Sequence, residues 1–169
     1  MAALGGERPF WLHGVSVGEV QACAPIARAA REAGYAGPII ISTTTETGRA
    51  MASRLGDGLF NEHIYYPWDK NKFVRRALAS LKPWGFAAAE TELWPNMLWQ
   101  LRDAGIPSFL VNGRISDRTW KRLRGTLGRP AGRELYGLFS KLLLREERDA
   151  ERLRSLGIEG GKIRVCGDS

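Results

Sequence analysis

Short runs of apolar residues alternate along this chain with longer segments in which apolar residues recur every three or four positions. The short runs predict seven β-strands, and the longer segments predict helices between them. One of these segments places Trp94, Met97 and Leu101 on a single helical face. The predicted strands cover residues 10–13, 37–43, 62–66, 85–89, 107–111, 141–144 and 162–166.

The boundaries of the predicted helices are marked by glycine, proline and capping residues. The helices cover residues 17–33, 45–55, 70–81, 94–101, a glycine-broken segment at 116–138, and 146–156. Gly34 and Gly56 are expected to end the first two helices, and Asp69 is expected to cap the third. Pro25 removes a hydrogen bond from the first helix, so we expect a separate first turn before it.

The alternation of strands and helices predicts the fold. It forms βαβ units, whose right-handed crossovers build a parallel sheet covered on both faces. We therefore predict an α/β fold, a Rossmann-like doubly wound parallel sheet, with residues 1–169 as a single domain. No apolar run reaches the roughly 18 residues that span a bilayer, and the first residues lack the apolar core of a signal peptide. The chain stops directly after a strand, so we expect it to be half of a larger protein.

The residues that follow the first strand, 14–19, are the first candidates for chemistry. Ligands of open α/β sheets gather outside the carboxyl ends of the strands. Ser16 and Glu19 have the spacing of a capping box, in which the carboxylate accepts a hydrogen bond from the Ser16 amide. At the same position Glu19 is suited to act as a general base that takes a proton from an attacking alcohol. Spacing alone leaves both interpretations open.

Two glutamates follow the fourth strand, in the string ETELWPN at residues 90–96. Glu92 suits the first turn of the next helix, and Pro95 is typical of an early helical position. Glu90 lies directly at the strand end, where it could hold an arginine or orient a sugar hydroxyl. Trp94 is expected to pack in the core.

Charge is distributed unevenly along the chain. Residues 1–70 carry six Lys/Arg and seven Asp/Glu, whereas residues 71–169 carry 19 Lys/Arg and 11 Asp/Glu. Arginine binds phosphate bidentately, so the basic stretch at 114–133 suits a phosphorylated ligand or an anionic membrane surface, with a solvated basic surface as the alternative. No nucleic-acid-binding motif is present, so we expect no nucleic-acid partner. The basic stretch comprises Arg114, Arg118, Lys121, Arg122, Arg124, Arg129 and Arg133.

Three further patterns limit the chemistry. Thr45, in the hydroxyl-rich segment 42–49, could cap the next helix or bind a polar ligand. Neither GxGxxG nor GxxxxGK[ST] occurs, so the fingerprints of dinucleotide and P-loop sites are missing. Cys23 and Cys166 lie far apart, and so do His13 and His63. We therefore expect buried free thiols in a reducing compartment and no metal site.

Taken together, these segments resemble the 3-deoxy-D-manno-octulosonic acid (Kdo) transferases of lipopolysaccharide synthesis. The SVGE and ETELWPN strings are specific to the family, and the others are weak alone. The resembling strings, in the family's order, are HGVSVGE at 13–19, STTTETG at 42–48, ETELWPN at 90–96, NGRIS at 112–116 and VCGDS at 165–169.

The resemblance implies a GT-B architecture of two Rossmann-like domains, with this chain as the N-terminal, acceptor-binding one. It implies that Glu19 is the general base and that Glu90 is a second functional carboxylate. CMP-Kdo would be the donor and a lipid A precursor the acceptor, with inversion and without a metal or other cofactor, at the cytoplasmic face of the bacterial inner membrane. The expected acceptor-binding residues are Ser16, Gly18, Thr45, Arg114, Arg118 and Lys121.

The sequence departs from the family's pattern in three respects. It begins almost at the first strand, without the N-terminal membrane anchor common in the family. It lacks the C-terminal domain that supplies most CMP-Kdo contacts, so we expect the chain alone to be inactive. Arg145 also stands where a small or polar residue is expected.

Two alternatives to a Kdo transferase domain are a non-catalytic domain that binds anionic lipid or polysaccharide, and a nucleotide-binding domain of another GT-B enzyme. The absent glycine fingerprint counts against the second.

Overall fold

Seven parallel strands form one sheet in the computed structural model, which describes residues 7–55 and 58–167. The strand order is β3-β2-β1-β4-β5-β6-β7, and all neighbouring strands run parallel. This arrangement confirms the predicted doubly wound sheet. The strands are β1 Phe10–His13, β2 Ile39–Thr43, β3 Glu62–Tyr65, β4 Gly85–Ala89, β5 Ser108–Gly113, β6 Lys141–Leu144 and β7 Ile163–Val165.

The helices lie close to their predicted positions. The glycine-broken segment forms two helices, separated at residues 124–127. Gly56, expected to end the second helix, lies outside the described residues. The helices are α1 Val17–Glu32, α2 Glu46–Leu55, α3 Asn71–Leu81, α4 Pro95–Asp103, α5 Asp117–Leu123, α6 Gly128–Gly137 and α7 Glu147–Leu156, followed by a short 3₁₀ turn at Gly160–Lys162.

The expectation of a separate first turn before Pro25 is wrong, because α1 continues through this residue. Val20, Cys23 and Ala27 on the same helix are fully buried against the sheet. Burial of this face stabilises the continuous helix and offsets the hydrogen bond that proline cannot donate.

Helices cover both faces of the sheet. Residues of α1 pack with Leu12 and Ile39 on one face. Residues of α3 and α4 pack with Trp11, Ile40 and Phe86 on the other. A third cluster joins α6 and α7 to β5 and β6 on the side of α4. All five residues of β2 are buried, as predicted for a strand covered on both sides.

The prediction that Asp69 caps α3 is wrong, because the residue at that cap is Lys70. The Asp69 carboxylate instead accepts hydrogen bonds from the backbone N–H groups of Asn96, at 3.1 Å, and Met97, at 2.9 Å. It therefore caps α4, a helix more than 20 residues further along the chain. This contact fixes the loop after β3 to the first turn of α4.

The chain reverses its direction of winding between β1 and β4. From β1 it proceeds to β2 on one side, and from β4 it proceeds to β5 on the other. In doubly wound sheets such a switch point leaves a crevice at the carboxyl ends of the two strands, where ligands bind. The segment after β1 leads to Glu19, and the segment after β4 begins with Glu90. The topology therefore places the two strongest candidate residues on either side of this crevice.

Candidate active site

Glu19 lies in the first turn of α1, and the loop before it brings strand and helix unusually close. A Cβ atom on Gly14 would lie 2.8 Å from both Glu19 C and Val20 N, so only glycine fits. Glu19 Oε2 accepts hydrogen bonds from the Ser16 amide, at 2.6 Å, and from Ser16 Oγ, at 2.8 Å. These bonds confirm the capping interpretation. In the described part of the chain Glu19 Oε1 accepts no hydrogen bond, so one oxygen of the carboxylate is available for proton transfer.

Gly18 and Thr45 both lie beside this turn, but Gly18 borders open space whereas the Thr45 hydroxyl is hydrogen-bonded. A Cβ atom on Gly18 would meet nothing within 4 Å, and the residue is exposed, so the first turn of α1 borders open space. Thr45 Oγ1 donates to Val15 O at 3.0 Å and accepts from Gly48 N at 3.1 Å. The capping interpretation of Thr45 is thus confirmed, and its hydroxyl also fastens the loop before α1. A contact between Thr45 and an acceptor stays a prediction.

Glu90 holds a left-handed backbone conformation, with φ of 59°. Its N–H donates to Val111 O at 2.9 Å, and its carbonyl accepts from Arg114 N at 3.2 Å. Asn112, at the end of the neighbouring strand, is also left-handed, with φ of 50°. Left-handed non-glycine residues cost about 1 kcal/mol or more and cluster at functional sites. The presence of two such residues at adjacent strand ends indicates that this part of the crevice belongs to a functional site.

A third carboxylate, Glu92, belongs to the same site. It is half-buried, and burial raises its pKa to about 7, with further contributions from the negative charges of Glu19 and Glu90. The same two charges, after burial, help to raise the pKa of the Cys23 thiol to about 12. Glu19, Glu90 and Glu92 therefore lie close enough to interact electrostatically. The prediction that Glu92 lies in the first turn of the next helix is wrong, because α4 begins at Pro95 and Glu92 lies two residues before its N-cap, Trp94. The spacing of Glu92 two residues after Glu90 was the available signal of a shared site.

An aromatic cluster joins the end of β1 to the loop that carries Glu92. The ring of His13 stacks on Tyr66, with ring centroids 3.9 Å apart. It packs edge-to-face with Trp94, with ring centroids 5.8 Å apart. His13 is fully buried, and burial lowers its pKa to about 3, so its imidazole is neutral at pH 7. Nδ1 lies 3.0 Å from Ser42 Oγ. The packing of Trp94 in this cluster confirms its expected role in the core.

Arg114 directly follows β5 with its side chain exposed, and the backbone of the next residue is held by α7. The buried carboxylate of Asp149 accepts a hydrogen bond from Ile115 N at 3.0 Å. Arg118 and Lys121 lie on α5, also exposed. Within the described residues these three side chains make no hydrogen bond or salt bridge with the protein. The binding of an acceptor by these three side chains stays a prediction.

The basic stretch at 114–133 is not one uniform surface. Arg129 Nη2 donates to Ser155 O at 2.8 Å, near the end of α7. A Cβ atom on Gly157, the residue that ends α7, would lie 3.5 Å from Arg133 Nε. The last two arginines of the stretch therefore contact the C-terminal end of a helix, where cations are favoured. The cations of α5 extend into solvent instead.

The two cysteines are both free, as predicted. Cys23 is buried, but the expectation that Cys166 is buried is wrong, because it follows the edge strand β7 and is exposed. Among the described residues no three His, Cys, Asp or Glu side chains form a group that could hold a metal ion. None of the described helices is both long and apolar enough to cross a membrane.

Comparison with known proteins gives a consistent result. Residues 2–169 match the family model described as 3-Deoxy-D-manno-octulosonic-acid transferase (kdotransferase). The 3-deoxy-D-manno-octulosonic acid transferase of Bordetella pertussis is 35% identical over 154 residues, which cover 88% of this chain and 35% of that protein. The enzyme of the same name from Chlamydia trachomatis serovar D is 30% identical over 164 residues, covering 96% and 38%. The chain thus spans little more than a third of these relatives' length.

Solved structures support the fold. The UDP-GlcNAc 2-epimerase of Neisseria meningitidis, bound to UDP-GlcNAc, superposes with a TM-score of 0.65 at 14% identity. The match covers 95% of this chain and 46% of that chain. At this identity the likeness shows the fold alone, which is the Rossmann-like half of a GT-B type of protein.

Proposed function

This chain belongs to the 3-deoxy-D-manno-octulosonic-acid transferase family, and on that premise we propose that it is the acceptor-binding domain of an inverting Kdo transferase. The proposed donor is CMP-Kdo, and the proposed acceptor is a lipid A precursor at the cytoplasmic face of the bacterial inner membrane. The observation that carries the proposal is the group of three interacting carboxylates at the β1–β4 switch point, one in the SVGE string and two in the ETELWPN string. The reaction is proposed to need no metal or other cofactor.

In the proposed reaction Glu19 is the general base. Oε1 takes the proton of a sugar hydroxyl on the acceptor while the hydroxyl oxygen attacks the anomeric carbon of Kdo. The new glycosidic bond forms as the bond to the CMP phosphate breaks, so CMP leaves and the anomeric configuration inverts. The two hydrogen bonds from Ser16 to Oε2 hold the carboxylate in one orientation, which favours proton transfer at Oε1.

The neighbouring residues are proposed to position the acceptor. Gly18 leaves space beside the base for a sugar ring. Glu90 and Glu92 offer carboxylate oxygens to sugar hydroxyls, and the raised pKa of Glu92, about 7, also lets it carry a proton near neutral pH. Arg114, with Arg118 and Lys121, supplies charge for the acceptor's phosphates. A second, donor-binding domain would close the crevice from the opposite side.

Substitution of Glu19 by glutamine tests this mechanism. Glutamine can still accept hydrogen bonds from Ser16 and so preserves the cap, but it cannot take a proton. In the full-length protein we expect Glu19→Gln to lower Kdo transfer from CMP-Kdo at least about 1000-fold, with an unchanged circular dichroism spectrum. Glu32→Gln, at the exposed far end of the same helix, is the matched control and should keep full activity. Equal turnover of Glu19→Gln and wild type would rule out the base.

A further inference from the structure

His63, on the edge strand β3, has no part in the proposed reaction, but its side chain reaches the end of the neighbouring strand. Its Nε2 atom lies 2.9 Å from Oγ1 of Thr43, the last residue of β2. The two side chains share one face of the sheet, because His63 pairs with Ile41, two residues before Thr43. The half-buried ring of His63 also packs edge-to-face with Tyr65, with ring centroids 5.3 Å apart. These contacts hold the imidazole at the carboxyl edge of β2.

The direction of the hydrogen bond between His63 and Thr43 follows from its neighbours. Thr43 Oγ1 lies 3.2 Å from the carbonyl oxygen of Thr45, which can only accept, so the single hydroxyl hydrogen is donated there. Thr43 Oγ1 therefore accepts from His63 Nε2–H. Partial burial and the charge of Arg49 lower the pKa of His63, against an opposing contribution from Glu46. At pH 7 the imidazole is thus neutral and carries its hydrogen on Nε2.

Thr45, which accepts the Thr43 hydroxyl, also holds the loop before Glu19. Its own hydroxyl donates to the carbonyl oxygen of Val15 at 3.0 Å. The next residue, Ser16, binds Glu19 Oε2 through its amide and its hydroxyl. A path of hydrogen bonds through two threonines therefore joins His63 to the segment that orients the Glu19 carboxylate.

Gly48, near the start of α2, shows how closely these segments are packed. A Cβ atom on this buried glycine would lie 3.0 Å from Thr45 Oγ1 and 3.1 Å from both Thr43 Cβ and Val15 O. The end of β2, the start of α2 and the loop after β1 therefore meet at one residue that has no side chain. In such a close-packed interior a displacement of Thr43 is transmitted to Val15.

We propose that His63 is a positioning residue for the general base, and that through Thr43 and Thr45 it fixes the loop that orients the Glu19 carboxylate. The inference rests on the proposed role of Glu19. Without a donor on residue 63, the buried Thr43 oxygen loses the one donor that it has among the described residues, which favours rearrangement of this segment. A contact that only secured β3 would change stability and leave the turnover of the folded protein unchanged.

The test compares two substitutions of equal length in the full-length protein. The amide nitrogen in His63→Gln lies as many bonds from the backbone as the imidazole Nε2 and can donate to Thr43, whereas His63→Met has no donor. We expect His63→Met to lower kcat for Kdo transfer from CMP-Kdo about tenfold with little change in KM. His63→Gln should retain most of kcat. Glu62→Gln, at the preceding position of β3, is the control and should retain full kcat.

Thr43→Val tests the proposed path independently, because it removes the hydroxyl and keeps a side chain of nearly the same size. It should also lower kcat. In the Thr43→Val background His63→Met should have at most about a twofold further effect, because both substitutions break the same hydrogen bond. Independent, multiplicative losses in the double variant would overturn the proposal.

Hydrogen exchange measured by mass spectrometry gives a readout that does not depend on the reaction. In peptides that cover residues 13–20, His63→Met should exchange at least about threefold faster than wild type, and His63→Gln should exchange at nearly the wild-type rate. Unchanged exchange in His63→Met would overturn the proposal, and so would faster exchange with unchanged turnover. Full activity of Glu19→Gln would overturn the proposed base instead, while the effect of His63 on the loop stays measurable, so the two failures are distinguishable.

Discussion

The loops of the β1–β4 crevice and the basic stretch at 114–133 use polar side chains in opposite ways. In the crevice the Glu19 carboxylate is held by Ser16, and the Thr45 hydroxyl is held between Val15 and Gly48. In the basic stretch chemically similar side chains have different surroundings, since Arg129 contacts α7 while Lys121 extends into solvent. Hydrogen bonds thus hold each of these crevice side chains in one orientation. A high density of charge along the sequence, by contrast, does not place the charged side chains on one common surface.

The largest effect that this comparison predicts is at Gly14. Gly14→Ala places a methyl group 2.8 Å from backbone atoms of α1, which cannot move without shifting Glu19. We expect the free energy of unfolding to fall by about 3 kcal/mol, measured by urea denaturation followed by circular dichroism.

Gly18→Ala is the control, because it makes the same substitution four residues later, where a Cβ meets no atom within 4 Å. Its stability should rise by up to about 1 kcal/mol, since alanine favours helix over glycine. If both variants lose similar stability, the close approach at Gly14 is not what fixes the loop.

An intermediate effect is expected at Glu92, the crevice residue with a raised pKa. Between pH 4.5, the ordinary pKa, and about 7, the folded state keeps a proton that the unfolded state releases. Folding stability is therefore lost as pH rises through this window. Glu92→Gln removes the loss, so the variant should be more stable than wild type by about 1 kcal/mol near pH 8, after allowance for partial exposure, and equally stable near pH 4.

Urea denaturation of Glu92→Gln and wild type at each pH measures this difference. The neutral, buried His13 destabilises both proteins equally as pH falls below 6.5, so its contribution cancels in the comparison. A difference between the two proteins that does not change with pH would contradict the raised pKa of Glu92.

The smallest effect distinguishes two members of the basic stretch. Arg129→Ala removes a hydrogen bond to Ser155 O near the end of α7, so we expect a loss of about 0.5 kcal/mol. Lys121→Ala, in solvent, should change stability by less than about 0.3 kcal/mol. Thermal unfolding of the two variants in parallel checks this difference, and equal shifts would show that the contact with α7 contributes nothing.

Much of the fold could be predicted because its signals are local. Alternating apolar runs located all seven strands, and the β-branched run of β2 indicated burial on both faces. Pro25 was misjudged because local helix rules omit the packing of the surrounding helix against the sheet. Asp69 was misjudged for the same reason, since the helix that it caps begins more than 20 residues later.

The candidate site could be predicted only in part. Motif spacing located Glu19 and Glu90 at strand ends, and topology brought those ends together. The proximity of Glu92 to both carboxylates depends on the path of the loop before α4, and the left-handed backbone of Glu90 and Asn112 depends on contacts between neighbouring strands. The spacing of Glu90 and Glu92 is the one sequence signal of the first feature. The left-handed backbone of Glu90 has no such signal, because glutamate does not ordinarily favour that conformation.

The hydrogen bonds from Asn96 and Met97 to Asp69 also link the loop after β3 to the candidate site. They join the residue after Trp68 to the first turn of α4, and Glu92 lies three residues before this helix. Any displacement of the loop after β3 would therefore be transmitted through Asp69 to the start of α4, and from there to the position of Glu92 relative to Glu19 and Glu90.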